Sequence, residues 1–594
     1  MPPTSLTAQP SEPLRAIHWI LLAALLCAGA ALRLWGIDHG QPHTRERDAH
    51  MAYHAQLLRE GYQPPDPHNN DNQYPSLLPW VLSLTPGPAP AAPSASLDEH
   101  LDAASALFVQ SRIEMALVSV SAIALTFALA RSFMSNAWAL LAAGLMASSF
   151  LTQYFAQQAR PHAAVSAIYL AAVLACMRLA KRPTLFSYAL ATSACALAIG
   201  SLHSGLATLA PLVVACLFAA LYVVHEPASR LYRRLLAAPV LAALTCALAF
   251  PLFYRYLFRD RTDTDFDRVV FDGTHLVWGD HRVGLVDFAG GGSLIVLRTL
   301  WFNDPALLVL LALAVAVAVA RKLPIYRPYE RWSDFWVAFA FAGPYLLLIA
   351  LFARTYERFV LPLVPYFAVF ASWGLAHLAG RGAGARKLAS AVAAAALLFS
   401  AISVTRLAWL RAQPDSLELA AQWITSQLDP NSDRVYCVPT MDLPLARSDD
   451  SLFPSDKRPP GRHSRWGVYQ TQLGPGVLPV PRWDVRYIAP RPDLGYPFAK
   501  LESDPQGFLR ALGAGYYVID ASRMPARPLF TDLPRLLTEL GGERVARFEP
   551  NDDDFGRGWS LPYEDEQIEG WPNVVRRVLG ARCVGPVVEI YRVP

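Results

Sequence analysis

The sequence predicts a polytopic α-helical membrane protein of about eleven transmembrane helices, followed by a soluble α/β domain. Three observations predict this class. The 594 residues are 53% hydrophobic and only 17% charged, whereas soluble proteins average about 25% charged residues. The apolar residues fall in blocks of about 20, the length that crosses a bilayer. From about Arg411 the composition becomes polar and rich in proline.

The apolar blocks predict the positions of the spans to within several residues. The first block is long and no small-residue cleavage site clearly follows it, so it is a span and not a signal peptide. The predicted spans start near Arg15, Ala104, Ala137, His162, Thr184, Gly205, Leu235, Asp304, Ser333, Phe359 and Lys387.

Lysine and arginine in the short loops predict the orientation. One side carries clusters such as Arg178, Lys181 and Arg182, whereas the short loops of the other side carry only Arg160, Arg354 and Arg358. The first side is therefore cytoplasmic. An odd number of spans puts the N-terminus inside and the C-terminal part outside a plasma membrane, the inner membrane of a bacterium. The net charge of +4 follows from this topology and does not indicate a nucleic-acid partner.

Composition divides the chain into three parts: a disordered cytoplasmic start (1–14), a transmembrane domain (15–410) and an extracytoplasmic α/β domain (411–594). In the last part, Leu417–Leu428 and Leu533–Leu540 read as helices. Arg434–Val438, Tyr516–Asp520 and Val587–Val593 read as strands. Cys437 and Cys583 face an oxidising compartment in this scheme, so a disulfide and two buried thiols are both open.

Two large outer loops interrupt the spans, at about 38–103 and 255–303. In the first outer loop, Asp48–Glu60 predicts a short amphipathic helix. Tyr74–Leu84 is too short to span and predicts a helix lying on the membrane surface.

Charged residues just beyond the first span are the strongest candidates for chemistry. Glu46 and Asp48 alternate with Arg45 and Arg47. Transfer to a hydroxyl or amine needs a base, and a departing phosphate needs cations. A charged turn in which Asp48 caps the next helix would show the same pattern. Both interpretations stay open at this point.

Two further outer sites carry cations. Arg160 and His162 lie where a helix re-enters the membrane, and this arginine either anchors the helix or contacts a phosphate. Arg354 and Arg358 lie in a short outer turn, where they either grip a phosphate or pair with Glu357.

Other motifs narrow the function class. The run Asp263, Asp265 and Asp267 leaves a divalent cation open, although a solvated acidic loop fits this pattern better. The sequence has no phosphate-binding loop, zinc spacing or nucleophile elbow, which argues against a nucleotide-driven pump. No cofactor is indicated with certainty.

The order of motifs resembles the GT-C membrane glycosyltransferases, in the branch with protein O-mannosyltransferases and the lipid A aminoarabinose transferase. The motifs run RLWGIDHG, HMAYHAQLL, YPSLLPWVL, QQARPHAAVSAIYLAAVLACMRLA, ALAIGSLHSGLATLAPLV and RTYERFVLPLVPYFAVFASWGLA. The resemblance implies a GT-C-like fold and inverting sugar transfer from a polyprenyl-phosphate carrier on the outer face. It also implies an acid of the first outer loop as base, which Asp48 matches.

The chain departs from that pattern at two positions. Arg47-Asp48 stands where relatives carry a paired Asp-Glu, and His162 follows Pro161 where an Asp is common. An active enzyme with a shifted acid, an enzyme with a different donor and an inactive family member are all compatible with these changes.

The leading hypothesis is a glycosyltransferase that moves a sugar from a polyprenyl-phosphate carrier to a glycan, lipid or protein, in contact with membrane lipids and without nucleic acid. Asp48 would be the base, with Glu46 as the second candidate. Arg354, Arg358 and Arg160 would hold the carrier phosphate. His54, Tyr74, His162 and Tyr356 would line the sugar or acceptor pocket. A flippase for lipid-linked glycans is the alternative, as is a non-catalytic scaffold, but charged residues cluster at the span ends and not at their centres.

Overall fold

The computed structural model describes most of the helical part and the core of the C-terminal part. The described residues are 13–41, 43, 50–61, 75–89, 92, 95–222, 240, 270–271, 273–278, 281–320, 329–438, 441, 443–448, 451, 481–489, 496–521, 528–551 and 574–594.

Helices dominate the first 411 residues. The helices before the second outer loop are α1 (Ala16–Leu34), α2 (His50–Arg59), α3 (Leu77–Ser83), α4 (Leu97–Arg131), α5 (Asn136–Ala147), α6 (Phe150–Ala156), α7 (Pro161–Lys181), α8 (Leu185–Ser201) and α9 (Leu209–Tyr222). Those after it are α10 (Gly292–Asn303), α11 (Pro305–Ala320), α12 (Tyr329–Leu351), α13 (Val364–Ala379) and α14 (Ala383–Arg411). Short 3-10 helices, His203–Thr208 and Glu357–Leu363, precede α9 and α13.

The chain is a multi-pass membrane protein. Within the described residues, seven helical segments are long and apolar enough to cross a membrane, and α5 with α6 forms an eighth, bent by 49°. Ten of the predicted spans coincide with described helices when the shorter α8 and α11 are included. The span predicted near Leu235 lies outside the described residues, so the total of eleven stays a prediction.

Lipid-facing surfaces explain why these helices expose large apolar side chains. Ile20 is 62% exposed on α1 and Leu398 is 63% exposed on α14. Trp19 and Trp35 are exposed at the two ends of α1, where tryptophan favours the boundary between lipid and water.

The helix α7 lies at the centre of the bundle. It packs against α4, α8, α9 and α12, and most of its side chains are buried. Because α7 begins at Pro161, with Arg160 as its N-cap, the packing of this one helix also places Arg160 and His162.

The bend between α5 and α6 is capped from another helix. Asp304, at the start of α11, accepts hydrogen bonds from the Ser149 hydroxyl at 2.8 Å and from the backbone N–H of Phe150 at 2.8 Å. Negative charge at a helix N-terminus is favourable, so Asp304 fixes the direction in which α6 leads to Arg160.

The C-terminal part is built on a six-stranded mixed sheet. Its order is β6-β5-β4-β7-β9-β8, parallel from β6 to β7 and antiparallel at β7–β9 and β9–β8. The strands are β4 (Arg434–Val438), β5 (Asp484–Ala489), β6 (Tyr496–Pro497), β7 (Gly515–Asp520), β8 (Glu543–Phe548) and β9 (Val588–Val593). Its helices are α15 (Ser416–Gln427), α16 (Phe498–Ser503), α17 (Pro505–Leu512), α18 (Pro528–Glu539) and α19 (Val574–Gly580).

Alternation along β4 gives this sheet two apolar faces. Val435 and Cys437 pack with α15, whereas Tyr436 and Val438 pack with α17 and α18. The predicted α/β layering is therefore observed among these elements, while the domain boundaries stay predictions. Cys437 and Cys583 are both buried and no disulfide joins them, which favours the interpretation as two buried thiols. A second sheet of three short strands, β1 (Val270–Phe271), β2 (His275–Trp278) and β3 (His281–Gly284), was not predicted.

Candidate active site

The two predicted acids lie outside the described residues. Asp48 and Glu46 belong to the undescribed stretch 44–49, and Tyr74 belongs to 62–74. The acidic run Asp263, Asp265 and Asp267 is likewise outside. The described neighbours of these segments define the candidate site.

The segment Trp35–His43 leads from α1 into the first outer loop, and we call it the entry segment. Gln157 donates from Nε2 to the carbonyl of Trp35 at 2.6 Å. Arg112 donates from Nη1 to the carbonyls of Ile37 at 2.7 Å and His39 at 2.9 Å. Two buried side chains from α4 and from the end of α6 therefore hold the backbone of this segment.

Gly36 permits the closest approach within the entry segment. Its φ is +68°, and a Cβ there would lie 2.8 Å from the backbone N of Ala412. Arg411 in turn donates to Gln157 Oε1 at 2.6 Å. The C-terminal ends of α1, α6 and α14 therefore contact one another. The sequence predicts all three ends on the outer side of the membrane.

His43 connects the entry segment to the C-terminal part. Its Nε2 lies 2.8 Å from Oδ2 of Asp415, and both side chains are buried. The other carboxylate oxygen of Asp415 accepts from the N–H groups of Leu417 and Glu418, both at 2.8 Å, and so caps α15. One buried carboxylate therefore serves a helix end and a loop 372 positions away.

His54 lies on α2, which is held against α3. Arg59 donates to the carbonyls of Leu82 at 2.6 Å and Thr85 at 3.0 Å. His54 is half-buried. The two predicted short helices of the first outer loop are thus observed, and Trp80 is exposed on α3 as the interfacial interpretation requires.

Arg160 and His162 lie together at the N-terminus of α7. Both are buried, with 4% and 3% of their surface exposed. Pro161 occupies the first helical turn, where its missing N–H costs nothing. The positive end of the helix dipole and a buried guanidinium therefore share one location.

The turn from Arg354 to Arg358 carries the second cationic pair. Arg354 is 52% exposed, and its Nη2 lies 3.0 Å from Oδ1 of Asp287. Arg358 stacks over the ring of Tyr356 at 4.3 Å, a favourable cation–π arrangement. The ion pair with Asp287 was not anticipated, because the sequence suggested Glu357 as the partner of these arginines.

The end of the second outer loop supports this turn. Ala353 N–H donates to the carbonyl of Asp287 at 2.5 Å. A hydrogen bond from Gly284 N–H, followed by the nearby Arg354, lowers the pKa of Asp287 below its ordinary value. Asp287 is therefore ionised at neutral pH and keeps the turn in place.

Gly292, the first residue of α10, allows α10 to pack closely against the end of α12. A Cβ at Gly292 would lie 2.0 Å from the carbonyl oxygen of Ile349 and 2.5 Å from that of Phe352. Only glycine allows α10 to begin against the end of α12, which is the end that leads into the Arg354 turn.

The structure brings the two cationic pairs onto elements that pack together. The 3-10 helix Glu357–Leu363 contacts α6, α7 and α10. Arg160 and His162 lie at the start of α7, and Tyr356 and Arg358 lie at the start of this 3-10 helix, so both pairs are carried by elements in contact. The described part of the chain contains no cluster of three or more His, Cys, Asp or Glu residues suited to a metal ion.

Three residues of this region were missed from the sequence. Asp287 lies in an unpredicted 3-10 turn, and no spacing connects His43 with Asp415. The Asp415–Glu418 capping box was the one available signal, because it marks a helix start.

Chemically, the described site can bind an anion. Guanidinium groups and a helix N-terminus supply donors for a phosphate, and buried placement of Arg160 strengthens the attraction. The entry segment fixes the start of the loop that carries the predicted acids.

No protein-family model matches this sequence, and no curated protein matches it. Solved membrane glycosyltransferases are similar in structure at low identity. ArnT from Cupriavidus metallidurans bound to undecaprenyl phosphate is 14% identical over 90% of this chain and 97% of that chain, with a TM-score of 0.40.

The archaeal oligosaccharyltransferase AglB from Archaeoglobus fulgidus, in complex with an inhibitory peptide and a dolichol-phosphate, is 14% identical over 90% of this chain and 73% of that chain, with a TM-score of 0.43. The arabinofuranosyltransferase AftD from Mycobacteria is 17% identical over 99% of this chain but only 40% of its own, with a TM-score of 0.38. These proteins are GT-C membrane glycosyltransferases, the superfamily that the sequence motifs resemble.

Proposed function

We propose that this protein is an inverting glycosyltransferase of the plasma membrane that moves a sugar from a polyprenyl-phosphate carrier to an acceptor on the outer face. The observation that carries the proposal is the packing of two cationic elements at one end of the bundle. These elements are α7, which has Arg160 at its N-cap, and the 3-10 helix Glu357–Leu363, which carries Arg358 and follows Arg354 in the chain.

A carrier phosphate at this place would meet complementary chemistry. Two arginines near one helical turn apart present planar donor forks, which match phosphate oxygens. The stacking of Arg358 on Tyr356 holds its guanidinium in one orientation and lowers the entropy cost of binding. Leaving-group charge on the phosphate develops during transfer, and fixed cations stabilise it.

The ion pair between Arg354 and Asp287 should weaken the binding of a carrier phosphate to Arg354. A phosphate that binds Arg354 competes with Asp287, 3.0 Å away. Removing this carboxylate charge in Asp287→Asn should therefore tighten carrier binding, unless the turn loses its support. Binding together with thermal unfolding distinguishes these two results.

The remaining roles follow the hypothesis drawn from the sequence. Asp48 takes the acceptor proton, with Glu46 as the second candidate. His162, Tyr356, His54 and Tyr74 contribute to the sugar and acceptor pocket. His162 and Tyr356 lie on elements that pack together, whereas the roles of Asp48, Glu46 and Tyr74 rest on the sequence.

The first experiment measures binding of undecaprenyl phosphate to the purified protein in detergent. We expect Arg354→Ala/Arg358→Ala to weaken binding by about tenfold or more, because charge-assisted hydrogen bonds contribute about 1.5–3 kcal/mol each. Arg381→Ala/Arg386→Ala is the matched control, since both arginines are exposed, Arg381 in the turn after α13 and Arg386 in the first turn of α14. Equal losses of affinity in both double variants, or no binding by wild type, would contradict the proposed carrier site.

A second experiment tests turnover. The protein is given undecaprenyl-phosphate-linked mannose, glucose and aminoarabinose, together with a cell-envelope extract that supplies glycan, lipid and protein acceptors, and release of undecaprenyl phosphate is measured. We expect release with at least one donor and its loss, by about 100-fold or more, in Asp48→Asn. Binding without release from any of these donors would favour the scaffold or flippase alternatives.

A further inference from the structure

We propose that His43 is a positioning residue that ties the first outer loop to the C-terminal part of the chain through Asp415. The inference deepens the proposed function, because it assigns to this contact the placement of the loop that carries the proposed base. His43 precedes Asp48 by five residues in the sequence.

The geometry of His43 supports a structural link between two segments and not a catalytic role. His43 Nε2 lies 2.8 Å from Asp415 Oδ2, and the exposed fractions of the two side chains are 1% and 2%. Groups this buried do not reach a substrate. A direct bond between them instead fixes the distance between their two segments.

Asp415 is itself held firmly. Its Oδ1 accepts from two N–H groups of α15, and the neighbouring Ser416 is bonded on both sides. The N–H of Ser416 donates to the carbonyl of Val584 at 3.0 Å, and its hydroxyl donates to the carbonyl of Pro586 at 2.6 Å. His43 is therefore attached to a helix end that is bonded to the segment leading into β9.

The remaining anchors explain why this one contact matters. The entry segment is held at Trp35 and at Ile37–His39 by Gln157 and Arg112. His43 is the last described residue before residues 44–49, and α2, which follows them, is fixed on α3 through Arg59. His43 and α2 are the described neighbours on the two sides of residues 44–49. Loss of the His43 contact would release the chain on one of these two sides.

Substitution should therefore act on the rate of the reaction more than on donor binding. A displacement of about 1 Å at a reacting group costs up to about 100-fold in rate. Cationic groups that bind the carrier lie on other elements, so the KM for donor should change little.

The test uses the full-length protein in detergent with His43→Ala, the rescue variant His43→Gln and the control His39→Ala. The amide of glutamine can donate to Asp415 in place of imidazole. His39 is the matched control because it lies in the same segment and its side chain bonds to its own turn at Gly36. The anchor from Arg112 uses the backbone carbonyl of His39, which alanine retains. Burial, aided by Arg411 and Arg112, lowers the pKa of His39 well below its usual value, so removing it removes no charge at neutral pH.

Two readouts are measured. The first is the rate of tryptic cleavage after Arg45 and Arg47, followed by mass spectrometry of the early peptides. The second is kcat and KM for whichever undecaprenyl-phosphate-linked sugar the wild type turns over. We expect His43→Ala to be cleaved at least about fivefold faster and to lose about 10- to 100-fold in kcat with KM unchanged. His43→Gln should recover most of both, and His39→Ala should match wild type.

The two possible failures are distinguishable. If wild type turns over none of the sugars, the proposed function fails, while faster cleavage in His43→Ala alone still supports the tie. Cleavage of His43→Ala at the wild-type rate overturns the inference, as does an unchanged kcat in an active enzyme. A loss in His43→Ala that His43→Gln does not recover also overturns it, because the hydrogen bond to Asp415 would then not be the cause.

Discussion

Two residues near the start of the first outer loop and of α15 are constrained in conformation or charge by the residues that contact them. Gly36 combines a left-handed backbone with close packing against Ala412. Glu418 lies beside Asp415 and accepts from its backbone N–H at 3.0 Å. Each of these two residues makes a prediction that measurements of unfolding can check.

Gly36→Ala should lower the free energy of unfolding by about 2 kcal/mol, because an alanine in this conformation costs roughly 1–2 kcal/mol before the clash with Ala412 is added. Gly61→Ala is the control, since Gly61 also has a positive φ of +79° but has nothing within 4 Å of its would-be Cβ. Thermal unfolding in detergent measures both. Equal losses would show that the approach to Ala412 imposes no cost.

Glu418→Gln should stabilise the protein at neutral pH. Burial, and then the nearby Asp415, raises the pKa of Glu418 above its ordinary value, so the folded state holds this proton more tightly than the unfolded state. Stability therefore falls as pH rises from the unfolded pKa through the folded one. Glutamine keeps the capping box and removes the charge.

The unfolding midpoint of Glu418→Gln should exceed that of wild type at pH 7, and the difference should vanish at a pH below the unfolded pKa of about 4.3. A constant difference at all pH values would contradict this origin.

At the scale of elements, helix ends are where this protein places its polar contacts. Asp304 caps α6, Asp415 caps α15, and Arg160 occupies the N-cap of α7. Buried helix ends require such partners because their backbone groups have none within the helix. Of these three ends, the start of α7 carries Arg160 and His162, to which the proposed reaction gives a role.

Gly292→Ala should weaken binding of undecaprenyl phosphate by about tenfold, because a Cβ that meets the carbonyl of Ile349 must displace α10 or the end of α12. Either movement disturbs the turn of Arg354 and misplaces its donors. Gly384→Ala on α14 is the control, since no atom lies within 4 Å of a Cβ there. Wild-type affinity in Gly292→Ala would show that α10 does not support the turn.

For the whole molecule, orientation in the membrane is the property that the sequence predicts most simply. Ser432→Cys lies in the C-terminal part, and Ala383→Cys lies at the exposed first residue of α14. In intact cells a membrane-impermeant maleimide should label Ser432→Cys directly and Ala383→Cys only after permeabilisation. The wild type, with its six described free cysteines, gives the background. The reverse pattern would invert the proposed topology.

The helices were predictable because apolar length is a local property. α1, α7 and α14 begin within a few residues of the predicted starts near Arg15, His162 and Lys387. Strands β4, β7 and β9 were predictable as well, since each is a short apolar run between polar stretches. In contrast, the partner of Arg354 depends on how a distant loop folds back, and nothing near Arg354 in the sequence encodes Asp287.

The candidate site was predictable as a set of outer cations but not as an arrangement. Arg160 and Arg354 stood out because few cations lie on that side. Their placement on packed elements depends on α7 and on the 3-10 helix Glu357–Leu363, whose contact no pattern within either segment specifies. The base proposed at Asp48 rests on the sequence alone, since residues 44–49 lie outside the described residues.

The bond between His43 and Asp415 also has a consequence for biosynthesis. The two residues are 372 positions apart, so at about 5–20 residues per second the ribosome makes Asp415 roughly 20–75 s after His43. During that interval His43 has no Asp415 to bond to. The bond can form only after α14, which precedes Asp415, has been synthesised. A nascent chain that stalls before α14 therefore carries an unclosed first loop, and a protease that samples the outer surface during synthesis can distinguish unfinished molecules from complete ones.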